Sequence, residues 1–332
     1  MKRIIAVGAL ALAIAASSFA QTTTLDSFKA SFTSLAGSMA TSLAADSTLG
    51  SNWSDAYIGS FPNFGVGVTT GAVFTGSGSV PNLSSLGVSG APSWLSSVGL
   101  PVPALGGSFK IGIPFLPIDV GVRGMYVPSS LTNSLMGSSG VNASFSSFGL
   151  QVRYAIIKQN LVLPNLSIGA AYNYQSGNLS APIGSSQSYT VPTDQTTTTT
   201  ITANKPNLAI NWTGNNFDFT AQVSKQILFI TPYLGVGASF GTSTVSGGVN
   251  STITTNYPGG VSALNSYLTS HGGPTVDPSQ GITYSVSVND PLYRVYGGIS
   301  LRLVVVDFDI QAIYLPFNNS EFGAALTTRI QI

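Results

Sequence analysis

The sequence contains one histidine, His271, and no cysteine. His271 lies in "YLTSHGGPTVD", with Ser270, Asp277 and Asp290 near it in sequence. A Ser-His or Asp-His hydrolytic site needs a histidine as general base or acid. Nothing in the spacing holds a nucleophile against His271. A solvated loop histidine is the simpler reading, and no enzymatic activity is expected. No His/Cys/carboxylate group has metal-ligand spacing, so no metal or cofactor is expected either. The other candidates for chemistry are charges set singly within alternating segments. They are Lys110, Asp119, Arg123, Arg153, Asp218, Arg294, Arg302, Asp309, Glu321 and Arg329. Six basic and four acidic groups on one inner surface could form a constriction with a slight preference for anions. They could equally pair into a salt-bridged, rigid interior.

The elements that must position them are strands. "FDFTAQVSKQILFITPYLGVGASF" (217–240) alternates strictly: Asp218, Thr220, Gln222 and Ser224 share one parity, Phe217, Phe219, Ala221 and Val223 the other. The same hairpin form recurs at 108–127, 149–174 and 296–315, each with a short apolar link. Three links end in Pro117, Pro164 and Pro232, and proline suits the first residue of a strand. "FPNFGVGVTTGAVF" (61–74) supplies an opening strand and "SEFGAALTTRIQI" (320–332) a closing one. Polar stretches at 76–106, 128–141, 178–215 and 242–290 separate the hairpins.

Short links on one side and long polar loops on the other are the asymmetry of outer-membrane barrels. The count is ten strands, with both chain termini on the periplasmic side. The stretches 178–215 and 242–290 have room for a further strand pair each, so twelve or fourteen also fit. The threonine run Thr196 to Thr200 reads as a loop or a hairpin outside the membrane.

Composition points the same way. Charged residues are 7% of the chain and mean hydropathy is +0.32, against roughly 25% charge in an average soluble domain. After the N-terminus no run approaches the 18 apolar residues of a membrane helix. An exported hydrophobic chain without spanning helices is left with the barrel solution. In a barrel, a Lys or Arg facing lipid costs about 2–4 kcal/mol near the midplane. All ten charges fall on the parity of the small polar residues, opposite the bulky apolar ones. A soluble sandwich would carry many more Lys and Glu on its exposed face. With net charge +1 and no basic patch, no nucleic-acid partner is expected. Phe115, Tyr126, Tyr154, Tyr172, Tyr174, Phe229, Phe240 and Tyr314 sit near strand ends, where interfacial aromatic girdles lie.

Residues 1–20, "MKRIIAVGALALAIAASSFA", have the basic, apolar and small-x-small order of a secretory signal peptide. The domain reading is therefore 1–20 signal peptide, 21–60 an N-terminal helical segment, and 61–332 the barrel. In the second part Leu25, Phe28, Phe32, Leu35, Met39 and Leu43 form one apolar stripe at helical spacing. The stripe fits a helix packed on the periplasmic rim or one that plugs the lumen.

Taken together, the leader, the hairpin repeat and "EFGAALTTRIQI" make residues 61–332 resemble bacterial outer-membrane β-barrel proteins as a class. The C-terminal strand looks like the signal read by the barrel assembly machinery, with Ile332 where an aromatic is usual. The layout of "LDSFKASFTSLAGSMATSLAAD" before the first strand is similar to the N-terminal hatch of the outer-membrane fatty-acid transporter family. That likeness implies a plug entering from the periplasmic side, although the family has fourteen strands and a longer chain.

The expected fold is all-β: a transmembrane antiparallel up-and-down barrel of about ten strands with a short N-terminal periplasmic helix. The expected function is passive transport of small or hydrophobic solutes through a narrow or plugged lumen. Trp94 and the prolines of "LGVSGAPSWLSSVGLPVPAL" (86–105) hint at a hydrophobic ligand. The alternative is a closed surface barrel whose long external loops bind a partner. Outer-membrane lipid, the assembly machinery and a small-molecule or hydrophobic ligand are the expected partners.

Overall fold

A computed structural model describes residues 25–76, 99, 101–130, 142–182, 185–192, 198–270, 275–276, 279–317 and 321–332. The leader 1–20, His271, Asp277, Trp94 and most of the 86–105 patch lie outside the described residues.

Ten strands close a cylinder. In chain order they are β1 (Phe64–Phe74), β2 (Pro101–Gly112), β3 (Ile118–Val127), β4 (Asn142–Ile157), β5 (Asn165–Pro182), β8 (Asn207–Ser224), β9 (Ile230–Thr255), β11 (Leu292–Leu303), β12 (Val306–Leu315) and β13 (Glu321–Gln331). Each pairs antiparallel with its neighbour in that order, and β13 returns to β1. At the seam Phe64 and Ile332 exchange both backbone hydrogen bonds (3.0 and 2.9 Å). Closure leaves no unpaired edge, which hydrocarbon would penalise heavily.

The alternating sequence explains the wall. On β8 Phe217 and Phe219 are exposed, while Asp218, Thr220, Gln222 and Ser224 are buried on the alternate positions. The last strand repeats this with Phe322, Leu326 and Ile330 outside and Glu321, Thr327 and Arg329 inside. The girdle aromatics Phe115, Tyr126, Tyr154, Tyr174, Phe229, Phe240 and Tyr314 are exposed; Tyr172 is half-buried.

Three further strands stand outside the cylinder. β6 (Gln187–Pro192) and β7 (Thr198–Ala203) form a hairpin that joins the far end of β9, and β10 (Ser279–Val288) pairs with β9 at 243–252. The long loops thus hold extra strands, as their length allowed, but the barrel keeps ten. A helix, α2 (Gly260–Ser270), buries Leu264 and Leu268 against Ile201, Ile253 and Val276.

The N-terminal helix, α1 (Leu25–Asp46), is present, but it is not on the periplasmic rim. Leu35, Met39 and Leu43 pack against Val102, Phe145, Ile210, Trp212 and Val245, inside the long-loop end of the barrel. The chain then descends the lumen to Phe64 at the short-turn end. The barrel's first and last strands meet at that end as expected, yet the helix enters from the opposite one. The reason is chemical: the inner wall offers apolar partners near the long loops and polar partners lower down.

Candidate functional site

The lumen is the one interior that combines charge, concavity and burial on this scale among the described residues. Lys110, Asp119, Arg123, Arg153, Asp218, Arg294, Asp309, Glu321 and Arg329 are all buried in it, and Arg302 is about one-fifth exposed (21%). Residues 35–58 run through the same space. Ser42, Leu43, Asp46, Leu49, Trp53, Ser54 and Ala56 are each at most 1% exposed.

Wall and segment meet mainly through side chains of the strands and backbone of the segment. Gln175 Nε2 donates to the Leu43 carbonyl (2.5 Å), and Lys110 Nζ to the Ser51 carbonyl (2.5 Å). Gln222 Nε2 donates to the Trp53 carbonyl (2.7 Å), and Arg153 Nη1 to the Asp55 carbonyl (2.7 Å). Arg123 donates to the Ser47 carbonyl. In the other direction the Ser54 amide donates to Asp309 (3.0 Å), Ala56 to Ser224 Oγ (2.9 Å) and Ile58 to Asp119 (3.2 Å). A non-helical segment inside a barrel has unpaired backbone groups, and each would be costly to bury alone. The wall's polar parity supplies their partners.

Charge is neutralised in short chains of ion pairs. Asp119 and Arg153 pair on neighbouring strands (2.8 Å), and Asp218 on β8 pairs with Arg294 on β11 across the intervening β9 (2.5 Å). At the short-turn end the carboxylate of Asp55 joins Arg302 (2.7 Å) and Arg329 (3.1 Å). Those two arginines also reach Asp307 (2.9 and 3.4 Å), and Arg329 reaches Asp309 (3.2 Å).

Sequence reasoning missed Asp307, Asp55 and Asp46. Asp307 shares the parity of Asp309 and was legible. Asp46 and Asp55 lie off the strands, where parity gives no signal. With them the described lumen holds seven acids against six bases, so the basic excess behind an anion preference is absent. Asp46 is fully buried with neither carboxylate oxygen hydrogen-bonded among the described residues; Arg123 is its counter-charge.

The lumen glycines make room for bulky side chains. A Cβ on Gly65 would lie 2.8 Å from the Trp53 ring, on Gly235 2.3 Å from the Tyr296 ring, and on Gly237 2.6 Å from the Arg294 guanidinium. Trp53 is further flanked by Lys110 and Arg329, 5.1 and 5.2 Å from its ring centre.

Among the described residues one sizeable space remains inside the lumen. A cavity of about 450 Å³ lies at the long-loop end, between α1 and strands β8, β9, β11 and β13. Thr33, Ser38, Thr41, Asn216, Asp290 and Glu321 supply its polar lining. Glu321 accepts a hydrogen bond from Ser42 (2.9 Å) and, unlike the other wall carboxylates, has no arginine beside it among the described residues.

No family model and no curated protein matches the chain. Among solved structures, the outer-membrane protease OmpT of Escherichia coli is similar over 82% of this chain and 97% of its own, at 11% identity and a TM-score of 0.36. The Ralstonia pickettii toluene transporter TbuX is similar over 82% and 90%, at 9% identity and 0.28. A Pseudomonas aeruginosa FadL homologue is similar over 81% and 89%, at 7% and 0.25. The molecule's own geometry is that of a closed ten-stranded cylinder, apolar outside and polar inside, with short turns at one end and long loops at the other. The chain forms a closed ten-stranded β-barrel with the apolar exterior and polar interior of a membrane-spanning barrel, and its lumen is occupied by its own N-terminal segment.

Proposed function

We propose that the protein is a passive transport barrel sealed by residues 47–58, with α1 as the seal's upper anchor. The observation that carries this reading is the cavity of about 450 Å³ above a polar seal. Its volume falls within the range of small-molecule sites. It sits where a solute arriving from outside the cell would first enter the lumen. The seal is held by hydrogen bonds and ion pairs, which lumen water can replace one at a time. The cavity's hydroxyl, amide and carboxylate lining favours a small polar solute in this chamber; a hydrophobic ligand would use the long loops instead. In this reading residues 1–20 direct export, and the C-terminal strand is handed to the barrel assembly machinery.

The test is conductance across a planar lipid bilayer, for the refolded mature chain and for the chain lacking residues 21–60. Near-silence from the first and steady channels from the second are expected. Steady channels from the intact chain would refute the seal. Silence from both, with folding established by heat-modifiable gel mobility, would refute transport.

A second reading is a closed surface barrel that binds a partner. It is favoured by the sheet of β6, β7 and β10 with α2, carried on the extension of β9 beyond the apolar belt.

A further inference from the structure

The short turns carry an unusual surface. Their tips are Phe115, Leu161, Val162, Leu228 and Val304, between 83% and 101% exposed. Turns that face water draw Gly, Asn, Asp and Ser, because those residues tolerate tight backbone and solvate well. Phe115, Leu228 and Val304 instead hold left-handed backbone (φ 64°, 55° and 62°). That region is unfavourable for bulky residues and especially for β-branched ones such as Val304. The chain accepts local strain to present an apolar side chain at three of its four tips.

Several polar groups of these turns are satisfied from within. Lys225 Nζ donates to the carbonyls of Asn160 (2.6 Å), Leu161 (3.2 Å) and Leu163 (3.1 Å). Asn160 Oδ1 accepts from the amides of Val162 (2.9 Å) and Leu163 (2.7 Å). Gln159 bonds the Gln226 amide (2.7 Å) and carbonyl (3.1 Å) across two turns. Tyr57 Oη donates to the Leu116 carbonyl (3.2 Å). The other turn lysine, Lys158, lies 5.7 Å from the centre of the Tyr57 ring. Internal satisfaction of backbone groups is what hydrocarbon demands and water does not.

Depth gives a third, independent argument. At 3.4 Å per residue and a tilt near 40°, a strand climbs about 2.6 Å per residue along the barrel axis. On β8 the outward apolar run extends from Phe217 to Val223, and above it stand Asn211, Thr213 and Asn215. That run is about 16 Å tall, short of the roughly 25 Å apolar band of an outer-membrane barrel. On β9 the outward apolar run extends from Ile230 through Pro232 and Leu234 to Phe240, about 26 Å, with Thr242 above it. On β8 Lys225 and Gln226 stand between Val223 and Ile227, with their nitrogens on turn carbonyls. Ile230 bridges Ile227 at the base of the turn, so the full band reaches down to Leu228 and Phe229.

We infer that the short turns are immersed in the periplasmic leaflet of the outer membrane, with their tips among the lipid acyl chains. The occupant of this apolar crown is lipid, and the barrel sits deeper on its short-turn side than its strands alone would place it.

The chain's lack of cysteine gives a clean test. Single variants Phe115→Cys, Leu228→Cys and Val304→Cys, with Ser262→Cys on α2 as the water-exposed reference, are labelled with an environment-sensitive fluorophore and placed in lipid nanodiscs. Blue-shifted emission at the three turns, quenched several-fold more by acyl-brominated lipid than by iodide, is the expected result. Turn labels that behave like the Ser262→Cys label would overturn the inference and leave the crown free for a periplasmic protein. If a variant fails to show heat-modifiable mobility, hydrogen exchange on the unsubstituted chain decides. Turn amides at 161–163 and 226–230 protected in nanodiscs beyond their protection in detergent support immersion; equal exchange overturns it.

Discussion

Asp55 is the place to weaken the seal without touching the cylinder. Its carboxylate binds Arg302 and Arg329, and it lies on the lumenal segment rather than on a strand. Asp55→Asn keeps the shape and removes the charge. Stranding a buried charge costs about 3–5 kcal/mol. Here neither arginine is stranded, since Arg302 keeps Asp307 and Arg329 keeps Asp307 and Asp309. Arg302 is also partly solvated, which weakens its share. A loss of about 2–3 kcal/mol follows, and it falls on the sealed state alone, because the released segment has water as its partner. At 1.4 kcal/mol per tenfold, the unsealed population should rise by about 30- to 150-fold. Single-channel recording reads this as the frequency of openings in the refolded full-length chain. Unchanged openings in Asp55→Asn, alongside steady channels from the chain lacking 21–60, would refute the account of Asp55 as a main tie of the seal.

Four other outcomes follow from the same geometry. Asp218→Ala leaves Arg294 buried without a counter-charge, with Ser239 as its hydrogen-bond partner and the Tyr296 ring beside it, and should lower barrel stability by about 3–5 kcal/mol, read by urea titration in lipid; Asp218→Leu with Arg294→Met should recover much of it. Gly235→Val drives a side chain into Tyr296 and should abolish the heat-modifiable folded form, whereas Ala221→Val on the outer face should not. Phe219→Arg puts a charge on the lipid face of β8 and should cost about 2–4 kcal/mol of insertion, seen as reduced folding into vesicles. Glu321→Gln removes one of the chamber's two carboxylates and should reduce cation over anion selectivity in the channel formed without residues 21–60; unchanged selectivity would exclude Glu321 from the conducting path.

The wall was legible because parity is a strong constraint. A single misplaced charge such as Arg153 or Arg329 on the lipid side would have broken the pattern, and the hairpin links fixed which strands are neighbours. The lumen's contents were not legible in the same way. The stripe of Leu35, Met39 and Leu43 says that one helix face is covered, but a rim, a plug and a partner would each cover it. What decides is the supply of unpaired polar groups on the wall, and those become countable only once the strands are set side by side. The glycines are silent for a related reason: Gly65 leaves space opposite it, and the sequence does not say whether water, solute or Trp53 fills it. The room for extra strands and a hairpin at the threonine run was legible, but their bounds were not: β6 and β7 are only six residues each, and the alternation of β10 (Tyr284, Val286, Val288) serves a face packed on the α1 cluster rather than on lipid.

The entry of α1 from the long-loop end bears on how the molecule is made. The segment precedes β1, and β1 is one side of the seam that Phe64 and Ile332 fasten. Passing a 22-residue helix through a finished cylinder would require breaking the ladder or dragging Trp53 past Arg329. If instead β2 to β13 curl around the segment while the seam is open, no threading is needed, and zipping β1 to β13 traps it. Biogenesis then has a direction: the N-terminal segment is cargo for its own barrel, enclosed by the last strand to arrive.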